Sequence, residues 1–79
     1  MVKRRVMFNF SSEPMSEPII YNVGHQFNVV TNIHRASVTE DQGWVILDLE
    51  GEEKDIEDAI TWVTSKGVRV DPVEGWPEP

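Results

Sequence analysis

Seventy-nine residues with no cysteine, and with 14 acids against seven bases, make one small acidic domain that can hide only about 60% of the surface its unfolded chain exposes. Without thiols there is no disulfide, no cysteine nucleophile, no Cys-type zinc site and no Cys-ligated iron–sulfur cluster. A net charge of −7 also argues against nucleic acid, whose phosphates demand clustered bases; the short run Lys3-Arg4-Arg5 is most simply a solvated strand start.

The opening segment, MVKRRVMFNF, lacks the apolar region of a signal peptide, and no later run approaches membrane-spanning length. A cytoplasmic chain with no membrane insertion is expected. Residues 2–10 alternate, with Val2, Val6, Phe8 and Phe10 on one side and Lys3, Arg5, Met7 and Asn9 on the other, which predicts a half-buried strand. Residues 11–18, with two prolines and three serines, predict a loop, and Pro18 suits a helix's first turn. Ile19, Ile20, Val23 and Phe27 then recur at helical spacing, giving a helix over about 18–27. Gly24 within it reads as a tolerated glycine, the alternative being a close backbone approach to a ligand or partner.

A second strand is expected over about 28–39, a turn at Glu40-Asp41-Gln42-Gly43, and a third strand from Trp44 to Glu50, the pair forming an antiparallel hairpin. Ile56, Ala59, Ile60 and Val63 mark a second helix, with acids in its first turns, Lys66 in its last and Gly67 as its stop. Trp62 beside that stripe reads as a core-edge residue. Val68 and Val70 alternate with Arg69 and Asp71 in a fourth strand that Pro72 ends. One domain over residues 1–73 and a disordered tail over 74–79 follow, Trp76 being free to order on binding. The order βαββαβ predicts an α+β, ferredoxin-like two-layer sandwich of the ACT-like kind, with a four-stranded antiparallel sheet and two helices on one face.

In such a sandwich the other sheet face must be wet, paired or covered by a ligand. If Val6, Phe8, Phe10, Val45, Leu47 and Leu49 meet the helices, parity puts Met7, Trp44 and Ile46 on the helix-free face. An apolar, Met- and Trp-containing patch there predicts a dimer, partner or ligand face. The alternative is that Trp44 shields its own hairpin. In strand two the parity of Val29, Thr31 and Ile33 conflicts with that of Ala36 and Val38, so a β-bulge between Ile33 and Ala36 is expected to re-aim Asn32 and His34. Asn32 is a polar residue in a β-branched run; its amide suits either a neighbouring backbone or the polar groups of an amino acid. His25 and His34 have no metal-ligand spacing, and the acids of residues 52–58 lie where they favour the helix dipole or water. No catalytic residue, metal or cofactor is expected, and the chain reads as a non-enzyme.

The run FNVVTNIHRASV (Phe27 to Val38), the Gly-Trp-Val-Ile-Leu-Asp-Leu strand at 43–49 and the Ile-x-x-Ala-Ile-x-Trp-Val helix at 56–63 resemble the NIL domain over nearly the whole chain. That family takes its name from an Asn-Ile-Leu at the start of its second strand, here Asn32-Ile33-His34. The pattern P-I-I-Y-x-V-x-x-x-F-N-V-x-x-N-I from Pro18 to Ile33, with G-V-R-V ending at Val70, looks most like the branch fused to ferredoxin modules. The resemblance implies a regulatory module that pairs through its sheet and binds methionine or a related sulfur amino acid. It implies that Asn32 bonds the ligand's polar end while Ile33, His34, Trp44 and Ile46 supply apolar walls. It also implies output through a partner protein, since this chain carries no ATPase domain. The competing expectation is a ligand-free interaction module or accessory subunit in sulfur amino-acid metabolism.

Overall fold

The computed structural model describes residues 1–10, 18–38 and 43–73; most of the expected loop over 11–18 and of the expected turn over 40–43, and the expected tail from 74, lie outside them. Strand β1 (Val2–Phe10) follows from its alternation. Helix α1 (Ile19–Gln26) begins after Pro18, whose carbonyl accepts from the Asn22 amide at 2.9 Å, and ends where Phe27 turns extended at φ −119°, ψ 152°. Strands β2 (Val29–Val38) and β3 (Gly43–Gly51), helix α2 (Glu53–Ser65) and β4 (Arg69–Pro72) complete the order βαββαβ. The boundaries lie within a residue or two of the periodicity, because helix and strand ends fray by about that much.

All strand pairs are antiparallel and the sheet order is β2-β3-β1-β4. This is the ferredoxin-like α+β sandwich. Its core joins Val6 and Phe8 of β1, Val29 of β2 and Val45, Leu47 and Leu49 of β3 to Ile19 and Val23 of α1 and Ile56, Ala59 and Val63 of α2. One sheet face therefore carries both helices. Trp62 is partly buried against this core, its ring 6.0 Å from that of Phe27, with the Lys66 ammonium 5.3 Å over it. Gly67, at φ +88°, stops α2 in the left-handed conformation that favours glycine. Pro72 is tolerated in β4 because that strand is at the sheet edge. Among the described residues, no helix is long and apolar enough to cross a membrane.

Candidate functional site

The register fixes what lies on the face opposite the helices. Residues directly across an antiparallel pair point the same way. Met7 stands opposite Ile46, Asn9 opposite Trp44 and Arg5 opposite Asp48 in β1 and β3, while Asn32 stands opposite Asp48 across β2 and β3. Met7, Trp44 and Ile46 thus occupy the helix-free face, and none belongs to the core cluster beneath the helices.

Their exposure differs from an open oily patch. Ile46 is only 5% exposed, and Met7 and Trp44 are half-buried. In register Ile46 sits between Met7 and Arg35, with Trp44 and Asp48 two residues either way along its own strand. Long side chains lay their stems over apolar neighbours. The large exposed apolar side chains lie elsewhere, among them Val30 at 60% and Ile33 at 53% on the edge strand β2.

At the centre of the face lies a charged cluster that parity alone did not announce. Asp48, 4% exposed, is the one buried charged residue among those described. Arg5 donates from Nε to its Oδ1 at 2.9 Å, and His34 donates from Nε2 to its Oδ2 at 2.8 Å. No buried side-chain nitrogen or oxygen among the described residues lacks a partner. Burial pushes the Asp48 carboxyl up, but the bonds from Arg5 and His34 and their charges outweigh it and hold it below the ordinary carboxylate value. Further out, Asn9 donates to Asp71 at 3.2 Å, and Asp71 also pairs with Arg69 at 3.0 Å.

The expected bulge is present: the β2–β3 register slips between Ile33 and Arg35, so His34 is the inserted residue. Its bond to Asp48 shows that it faces away from the helices. Arg35, opposite Ile46, shares that side. The bulge thus brings Asn32, His34 and Arg35 onto one face, close to Asp48 and Arg5. Asn32 is exposed, so burial places no demand on its amide. Of the expected site residues, Asn32, His34, Trp44 and Ile46 share this face. Ile33, opposite the core residue Leu47, is on the helix side and does not join them. His34 forms a polar wall, its ring nitrogen being tied to a carboxylate. Arg5 and Asp48 were the functional candidates that sequence reasoning passed over; their signal was an acid and a base on the parity of Ile46 and Met7. Among the described residues no group of three or more His, Cys, Asp or Glu side chains could hold a metal ion.

A family model described as the NIL domain matches residues 4–72. Among solved structures, the chain is similar to the C-terminal domain of an ABC transporter/ATP-binding protein from Enterococcus faecalis. The identity is 22%, the TM-score 0.79, and the match covers 91% of this chain and 84% of that one. At that identity the likeness establishes the fold. No curated protein matches the chain.

Proposed function

The chain belongs to the NIL domain family, and from that premise we propose a cytoplasmic, non-enzymatic regulatory module that binds methionine or a related sulfur amino acid on its helix-free sheet face. It acts as a homodimer through a partner protein, since a sensor must bias something beyond itself. The pattern from Pro18 to Ile33 supports a position nearest the ferredoxin-linked branch. The observation that carries the reading is the exposed Asn32, with its donor and acceptor amide, beside Asp48 on a face no helix covers. Ile46 and Met7 supply the apolar floor next to it.

Calorimetry with a panel of sulfur amino acids tests this. Saturable binding by the parent and at least a tenfold loss in Asn32→Ala are expected, a tenfold loss corresponding to about 1.4 kcal/mol. Binding that survives unchanged in Asn32→Ala removes the site; silence across the whole panel removes sensing. In that event the second reading, a ligand-free interaction module, stands on the exposed Val30 and Ile33 of the β2 edge.

A further inference from the structure

The geometry points to His34 as the residue that selects the ligand's side chain, its Nδ1 accepting a hydrogen bond from a thiol or hydroxyl that a thioether cannot offer. The inference rests on the proposed ligand-binding function and narrows its ligand to an amino acid with a donor at the end of a short side chain. His34 is the residue inserted at the β2 bulge. Successive strand residues point to opposite faces, so Asn32 and His34 lie on one side, about 7 Å apart along the strand. They flank Asp48, which stands opposite Asn32 in register and accepts from His34 Nε2 at 2.8 Å. Laid along the strand, a short amino acid would meet the Asn32 amide with its α-amino and carboxylate end and His34 with its side chain.

The two nitrogens of the His34 ring are not equivalent. Asp48 is buried, and its other oxygen accepts from the Arg5 Nε at 2.9 Å. Held below its ordinary value, the carboxyl is ionised at neutral pH. An ionised carboxylate only accepts, so the ring nitrogen facing it carries a proton. A neutral imidazole has a single N–H, and committing it to Nε2 leaves Nδ1 as a bare acceptor. Among the described residues nothing donates to Nδ1, and the His34 side chain is 29% exposed. Asp48 is thus a positioning residue that fixes the ring and its tautomer before a ligand arrives, which lowers the ordering cost of binding. A thiol or hydroxyl can donate to such a nitrogen, whereas a thioether covers it and leaves it unsatisfied.

Two measurements at about pH 8, above the ordinary imidazole value of about 6.5, test the inference. Nitrogen NMR of the His34 ring should show Nε2 protonated and Nδ1 bare, with the Nδ1 resonance moving when homoserine or homocysteine is added and staying in place with methionine. Calorimetry should show both donor ligands binding about five- to tenfold more tightly than methionine, the worth of one good hydrogen bond. His34→Leu, which removes the acceptor at an exposed position, should erase that preference while methionine still binds. His34→Gln, whose amide can donate N–H to Asp48 and keep an oxygen as acceptor, should retain it. Methionine bound as tightly as the donor ligands, or a preference that survives in His34→Leu, overturns the inference and leaves amino-acid sensing intact. A protonated Nδ1 overturns it as well. No heat from any of the three ligands contradicts both this selection and the sensing function beneath it.

Discussion

Asp48 is the residue on which the helix-free face turns. A carboxylate this buried is tolerable only because both oxygens accept charged or polar N–H donors. Replacing it with Asn removes the negative charge that Arg5 and His34 bond, which should destabilise the fold by about 2–3 kcal/mol. The sign of the pH effect follows from its depressed folded value. The stabilisation is fully present above the ordinary carboxylate value of 3.8 and is lost as pH falls through the lower folded one. Denaturant titrations should therefore show parent and Asp48→Asn far apart at neutral pH and converging as pH drops below 3.8. A gap that stays constant down to strong acid would contradict the cluster's role. Sequence alone did not point to Asp48, because a lone acid on the outward parity of a half-buried strand looks like any solvated side chain. Parity tells on which side a side chain lies, but its cover depends on which long neighbours lie across it. For the same reason Met7, Trp44 and Ile46 were placed on the right side and their exposure was overestimated.

At the level of elements, two glycines separate backbone need from mere tolerance. A Cβ on Gly24 in α1 would meet the Val29 carbonyl oxygen at 3.7 Å, an ordinary contact, so the glycine is tolerated and not required. A Cβ on Gly51, at the end of β3, would come within 2.7 Å of the Asn28 carbonyl oxygen, where backbone must move to admit it. Gly24→Ala should stabilise the domain by about 0.5–1 kcal/mol through helix propensity, whereas Gly51→Ala should cost about 1–3 kcal/mol through overpacking. Thermal melts of the two variants check the pair, and a neutral Gly51→Ala would show that the hairpin end relaxes freely. Tolerance at Gly24 was the reading the sequence favoured; the need for Gly51 was not legible, since close approach of β3 to the α1–β2 junction is a tertiary fact. The β2 bulge, by contrast, was legible: Val29, Thr31 and Ile33 against Ala36 and Val38 cannot share one face without an inserted residue. Which residue it was, and that His34 would reach Asp48, needed the register. The same bulge at one sheet edge and Pro72 at the other blunt the edges against strand addition, which is compatible with the proposed association through the face of the sheet.

For the molecule as a whole, both helices, all four strands and their antiparallel order could be read from periodicity and turn residues, because each local pattern agrees with the global fold. The helix-free face differs from the rest of the chain in charge. It carries Lys3, Arg5, Arg35 and Arg69 against Asp48, Glu50 and Asp71, leaving the remaining eleven acids to only three bases. Copies of so acidic a chain repel one another in most orientations. Face-to-face approach of the helix-free sheets avoids that repulsion and covers the half-buried Met7 and Trp44. Sedimentation velocity on the parent and on Trp44→Glu, with circular dichroism to confirm that both are folded, tests most directly that another molecule covers this face. A parent sedimenting as a dimer and a folded Trp44→Glu sedimenting as a monomer are predicted. A parent that stays monomeric at every concentration, or a variant whose sedimentation coefficient does not change, would contradict it.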